Sequence, residues 1–199
     1  EALLDARVCE CCQTSAAMSA AGPLVVFRDR SQDEVRDISI VRRVDGVWTA
    51  PRPVFRDGWK IAGCPVNGPS VAASGRHVVV GWFTGADNTG RVKFARSTDA
   101  GASFGEPSLI DRGNPVGRVE VVVAEDGAAW VCWMTRTDDG AAVRARRVAA
   151  DNTLSEAVTI AETEAARRNG FPQVVRCGGR LVFAWTNQGV QVASMPLPK

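Results

Sequence analysis

At 199 residues, 45% hydrophobic and 23% charged, the chain is long enough for one sizeable core or an array of small repeats. Its formal charge of +2 is spread along the length without a basic tract, which argues against a nucleic-acid partner. No apolar run reaches the roughly 18 residues that a spanning helix needs, so no membrane span is expected.

The chain opens on Glu1 rather than Met and shows no signal-peptide pattern, which reads as a processed, trimmed or excised end. Helical periodicity is weak. Residues 162–168 are the only helix-like stretch, too short and uncapped to carry architecture. Short Val/Ile/Trp-rich runs broken by Gly, Pro, Asn and Asp point instead to an all-β protein.

In chain order, residues 1–6 resemble the later segment Glu106-Pro107-Ser108-Leu109-Ile110 and read as the fourth strand of a preceding or last sheet. Residues 8–56, 64–111 and 116–161 then repeat one plan, and residues 169–199 repeat its first three strands. The landmark is an aromatic near the end of the second strand: Phe27, Trp82, Trp133 and Trp185, spaced by 55, 51 and 52 residues. Matching first-strand positions hold Ser15, Ser70, Glu120 and Gln173. Each unit is predicted to be an antiparallel sheet of short strands, and such sheets pack face to face as propeller blades. The fold expected is thus an all-β propeller of about four four-stranded blades, either a small closed ring or part of a larger one. In the ring reading, the N-terminal strand completes the last blade and removes two open edges.

Between two predicted strands lies Ser97-Thr98-Asp99-Ala100-Gly101-Ala102-Ser103-Phe104. A carboxylate that bonds nearby N–H groups and a glycine that tolerates positive φ make this turn chemistry. With its flanks, RVKFARSTDAGASF resembles the Asp-box, or BNR, repeat of the sialidase superfamily. The chain is also similar to bacterial sialidase-like proteins that carry V-C-x-C-C-Q-T and C-P-V-N-G-P segments, present here at residues 8–14 and 64–69. Those proteins are longer, which favours a piece of a bigger propeller.

The resemblance implies a six-bladed, secreted or periplasmic protein that binds or hydrolyses glycans, an exo-α-sialidase-like glycosidase if it is an enzyme. It does not carry over the catalytic set. Sialidases use a Tyr nucleophile paired with a Glu, an Asp acid/base and three Arg on the substrate carboxylate, whereas this chain has no Tyr and no F/Y-R-I-P segment.

If the innermost strand comes first, the 97–104 turn and the lone His77 lie on one face of the ring. The linkers between blades lie on the other, the mouth. Candidate ligand-binding residues there are Arg7, Arg28, Arg30, Asn114, Arg167 and Arg168, for a carbohydrate or small anionic ligand. Arg36, Asp29, Asp33, Asp87 and Asp138 share that face as loop charges. Glu120, the one carboxylate at the matched first-strand positions, and Arg118 beside it are the catalytic candidates or a structural ion pair.

Cys9, Cys11, Cys12 and Cys64 converge at blade entry, as disulfides in an exported protein or as a thiolate site for Cu or Zn. Cys132 and Cys177 read as packed blade residues. Three functions from different classes follow: a glycan binder or glycosidase, a metal- or redox-handling propeller, and an interaction scaffold whose partner is another chain's blades or a second copy.

Overall fold

The computed structural model describes residues 1–166 and 170–197, and these build four antiparallel sheets. The first contains β1 (Ser15–Ser19), β2 (Gly22–Arg28) and β3 (Ile38–Val44), with β4 (Val47–Trp48) and β5 (Arg52–Phe55) both paired to β3. The second is β6 (Ser70–Ser74), β7 (His77–Thr84), β8 (Arg91–Ser97) and β9 (Ser108–Asp111). The third is β10 (Pro115–Val123), β11 (Ala129–Thr137), β12 (Gly140–Val148) and β13 (Val158–Thr163). The fourth is β14 (Gln173–Cys177), β15 (Arg180–Thr186) and β16 (Val190–Pro196). Each sheet is a meander in chain order, and the first strands pack side by side, β1 on β6, β6 on β10 and β10 on β14. This is a propeller.

Period-two alternation explains why the sheets stack. On β7, Val78, Val80 and Trp82 face the first blade beside Leu24, Val26 and Ile40, while Val79 faces the third beside Val121 and Val131. On β11, Val131 and Trp133 face back to the second blade, while Trp130, Cys132 and Met134 face Val174, Leu181 and Phe183 of the fourth. Every blade interior is therefore apolar on both sides, and Trp82 and Trp133 are almost fully enclosed. Gly81 sits where β7 meets the third blade's first strand; a Cβ there would lie 2.6 Å from a Val121 methyl, so only glycine lets the inner strands approach.

A polar fastener recurs at these seams. The Trp82 indole donates to Asp57 just beyond β5 (2.6 Å), and the Trp133 indole donates to Asp111 at the end of β9 (2.7 Å). Each second-strand Trp is thus held by the end of the preceding blade. Trp185 occupies the same place in the fourth blade, but its buried indole N–H has no partner among the described residues. The fourth blade leaves its far face open, with Val175, Val190 and Val192 exposed.

Residues 1–5 form no strand; Ala2, Leu3, Leu4 and Asp5 lie against Val25, Phe27 and Val41 on the outer face of the first blade. The described part of the helix-like stretch is not helical: Glu162 and Thr163 finish β13 and residues 164–166 are irregular, while residues 167 and 168 lie outside the described residues.

The 97–104 turn is held by its own side chains. Ser97 Oγ and Asp99 Oδ1 share a 2.6 Å hydrogen bond, and Gly101 N–H donates to Ser97 Oγ. Ser103 donates to the Asp99 carboxylate through both its amide and its hydroxyl. Partial burial opposes ionisation of Asp99, but these bonds outweigh it and hold the carboxyl at about 2. His77 packs against the third blade's Gly127 turn, and Ala100 bonds back to Arg76, so box-like turn and histidine share one face.

Candidate functional site

On the opposite face the two motif segments of the first and second blades interlock. Gln13 Oε1 accepts from Gly68 N–H (2.8 Å) and Gln13 Nε2 donates to Gly68 carbonyl (3.3 Å), so one side-chain amide imitates a strand partner. A Cβ on residue 68 would fall 2.0 Å from the Gln13 carbonyl oxygen, which requires glycine there. Asn67, next in the segment, is buried; it accepts from Arg118 N–H (2.8 Å) and donates to the Val116 carbonyl (3.1 Å). The linker of the second blade thereby fixes the entry of the third.

Two of the predicted arginines turn out to serve the same seams. Arg28 is 2% exposed and donates to three backbone carbonyls, of Asn67 (2.7 Å), Arg36 (2.6 Å) and Phe83 (2.6 Å), with its guanidinium over the Trp59 ring. Burial pushes its guanidinium below the ordinary value, with partial relief from Cys12 and Cys9. Arg118, on a bulge of β10 with φ of 55°, donates to the carbonyls of Gly170 (2.7 Å) and Ala166 (3.1 Å). It ties the third blade to the fourth.

Around the first blade's loop, Glu34 gathers Arg7 (3.0 Å), Arg30 (2.9 Å) and Arg36 (2.8 Å) on one carboxylate. Hydrogen bonds from Arg30 and Arg36 hold Glu34 at about 2. This cluster shows three guanidinium groups converging on a carboxylate, with that carboxylate supplied by the chain. Arg167 and Arg168 lie outside the described residues.

Cys11 and Cys64 form a disulfide that joins the first two blade entries across 53 residues of chain. Cys9 and Cys12 are buried free thiols whose sulfurs lie 3.0 Å apart, and Cys9 Sγ lies 3.6 Å from Cys11 Sγ. Arg36 Nη1 donates to Cys9 Sγ (3.2 Å). Burial and the Cys9 contact raise the Cys12 thiol to about 11. Three sulfurs lie within 4.8 Å of one another, compact enough for one soft ion. With Cys11 bridged, however, only two thiols remain, short of the four ligands of a closed zinc site; the donor set fits Cu or Zn only after reduction of the bridge. Cys132 is buried in the blade core, whereas Cys177 is an exposed thiol on the open blade face.

Between the entries of the second, third and fourth blades lies a cleft of about 620 Å³. Its apolar walls include Phe83, Val116 and Phe171, and its polar groups are Asn67, Arg118 and Arg136, with Cys11 at one side. Phe83 is backed edge-on by Trp59 at 5.6 Å. Arg136, at the end of β11, is exposed, and its side chain has no hydrogen-bond or ion-pair partner among the described residues. Its own N–H fixes the exposed Asn114 through that residue's carbonyl (2.9 Å).

Phe83, Arg136 and Phe171 were absent from the sequence-based candidates. The available signal was position: Phe83 and Arg136 follow the landmark Trp82 and Trp133 by one and three residues, at the mouth-side ends of β7 and β11.

Glu120 does not line the cleft. It lies on the inner strand opposite Cys132, half-buried, and burial raises its carboxyl to about 7 against a smaller opposing bond from Ser70.

No family model and no curated protein sequence matches the chain. Solved structures do match, at identities that speak to the fold alone. A xylan β-1,4-xylosidase from Bacillus halodurans C-125 superposes with a TM-score of 0.54 at 11% identity, over 92% of this chain and 39% of its own. A Hadza microbial sialidase does so with 0.51 at 16%, over 92% and 43%. The fucose-specific lectin of Aleuria aurantia matches with 0.55 at 10%, over 92% and 57%. The chain thus has a sialidase-like propeller fold and spans about two fifths of the first two chains it resembles.

Proposed function

We propose that the protein is a glycan-binding propeller that takes an anionic sugar in the cleft between Phe83, Phe171 and Arg136. The observation that carries this reading is Arg136, an exposed cation whose side chain has no partner among the described residues, at the rim of a pocket walled by two Phe rings. Aromatic faces receive the C–H face of a pyranose, and a guanidinium forks onto a carboxylate. Propeller glycosidases and a lectin share the architecture, which raises the prior for a carbohydrate without choosing between binding and hydrolysis.

Binding is the better supported of the two. Arg28 and Arg118 are committed to backbone carbonyls, Glu120 stands off the cleft, and the chain contains no Tyr to act as a sialidase nucleophile. A hydrolytic version would use Glu120 as proton donor, since a carboxyl held at about 7 keeps its proton near neutrality.

The 97–104 turn belongs, in this reading, to the Asp-box type, and its place is structural. A secreted or periplasmic setting agrees with the Cys11–Cys64 bridge. The open apolar face of the fourth blade has the alternation of an inter-blade seam, and a second copy is the partner proposed for it; molar mass in solution tests that point.

The test of the main reading is titration of the protein with sialyllactose and with neutral lactose, beside a fluorogenic sialoside assay. The expected result is binding of the acidic sugar, weakened on the order of tenfold by Arg136→Ala, as for loss of one charge-assisted contact. No hydrolysis should accompany it. Absence of binding at millimolar sugar, or an Arg136→Ala variant that binds as the parent does, would sink it.

A further inference from the structure

The sulfurs at the first blade entry are arranged in sequence from solvent to interior. Cys11 and Cys64 are exposed and bridged; Cys9 and Cys12 are buried and reduced. Cys9 stands between the two pairs, 3.6 Å from Cys11 Sγ and 3.0 Å from Cys12 Sγ, with the Arg36 guanidinium donating to its sulfur at 3.2 Å. A cationic donor at a sulfur is the arrangement that favours its acting as a nucleophile. A bridge needed only as a staple has no use for two further thiols at contact distance.

We propose that these four cysteines form a thiol–disulfide relay in which the exposed Cys11–Cys64 bridge passes its oxidation inward to the buried Cys9–Cys12 pair. In the first step Cys9 Sγ attacks Cys11 Sγ; the Cys9–Cys11 bond forms, the Cys11–Cys64 bond breaks, and Cys64 leaves as a thiolate. In the second, Cys12 Sγ attacks Cys9 Sγ; the Cys9–Cys12 bond forms and Cys11 leaves. Two thiols and one disulfide enter, and two thiols and one disulfide leave. The protons given up by Cys9 and Cys12 are regained by Cys64 and Cys11, so no external oxidant or reductant is consumed.

The consequence for the molecule is local. After exchange the covalent link between the two blade entries is gone, and the freed Cys11 is a residue of the mouth cleft. The reduced surface pair is open to an external disulfide, which re-forms the Cys11–Cys64 bridge and leaves as a dithiol, so oxidation can be loaded at the surface and stored inside. The relay stands independently of the glycan reading.

The experiment is alkylation trapping without reductant. The purified chain is incubated with N-ethylmaleimide, quenched with acid, and mapped by mass spectrometry for labelled and bridged cysteines. Cys177, exposed and free, reports complete reagent. The wild type is expected to accumulate alkylated Cys64 and Cys11 with Cys9 and Cys12 joined. C12S should halt after the first step, with Cys64 alkylated and Cys9 joined to Cys11. C9S should retain the Cys11–Cys64 bridge, labelling Cys64 at least about tenfold more slowly than wild type, because an adjacent thiol acts at high effective concentration.

Wild type and C9S releasing Cys64 at equal rates, or Cys64 bridged to the end in wild type, overturns the relay. So does stoichiometric zinc or copper on anaerobically purified protein with all four sulfurs protected. Circular dichroism checks folding; if C9S fails to fold, the C12S arm decides, and absence of a Cys9–Cys11 bridge there counts against the relay.

Discussion

The seam between the first and second blades and the seam between the third and fourth follow one repeat but are fastened differently. At the first, a disulfide, a buried Arg28 with three carbonyl partners and the Trp82–Asp57 bond reinforce the apolar contact. At the last, Arg118 reaches across to two carbonyls, while Trp185 has no partner for its indole among the described residues and the blade's far side is open. The apolar layer is what the repeat copies from blade to blade; the polar fasteners are local additions. Stability should therefore rise along the ring wherever fasteners were added, not wherever the aromatic recurs.

The largest test is Arg28→Ala. Three buried carbonyls would lose their donor at once, and the expected loss is about 3 to 5 kcal/mol, seen as a fall in the denaturation midpoint. A loss no greater than that of an exposed Arg43→Ala would collapse the contrast between seams.

Next in size is the bridge. Opening a loop of 53 residues is worth about 2 to 4 kcal/mol through the freedom returned to the unfolded chain. C64S should lower the denaturation midpoint accordingly, and hydrogen exchange should locate the loss at residues flanking the first seam rather than in the fourth blade.

The Trp pair sharpens the comparison. Trp82→Phe leaves Asp57 with only Lys93 and should cost about 1 to 3 kcal/mol. Trp185→Phe removes an unsatisfied buried N–H and should be close to neutral by the same measurement. Equal costs for the two substitutions would contradict the fastener account.

The smallest effect is a pH dependence. Glu120 is raised from 4.5 to about 7 by burial, so the folded state binds a proton more readily than the unfolded state. Its contribution is fully present below pH 4.5 and is lost as pH rises through about 7. Wild type should thus lose on the order of 1 to 2 kcal/mol between pH 5 and pH 7.5 relative to Glu120→Gln. Glu34 and Asp99, both held at about 2, act in the opposite sense and only as pH falls below the ordinary carboxylate range.

The blade frame was legible because it is written four times: Phe27, Trp82, Trp133 and Trp185 recur at nearly one spacing, and the three Trp each face the preceding sheet. The site was less legible because sequence records charge but not direction. Sequence offers Arg28 to a ligand and Arg118 to catalysis or an ion pair with Glu120, yet the donors of both turn to carbonyls, and the positive φ that aims Arg118 carries no residue signature. The cleft draws Phe83, Arg136 and Phe171 from three blades, so no single stretch announces it. The cysteine convergence was visible, since Cys9 and Cys64 hold matched places before Ser15 and Ser70; which sulfurs are joined was set by side-chain placement.

The indole fasteners also carry a direction. Asp57 precedes Trp82 by 25 residues and Asp111 precedes Trp133 by 22, so the acceptor is always made first. A chain leaving the ribosome presents each finished sheet, with its carboxylate in place, to the strand about to emerge. In both seams the later blade therefore meets an acceptor that the chain has already placed, and neither fastener depends on any strand that follows it in the sequence.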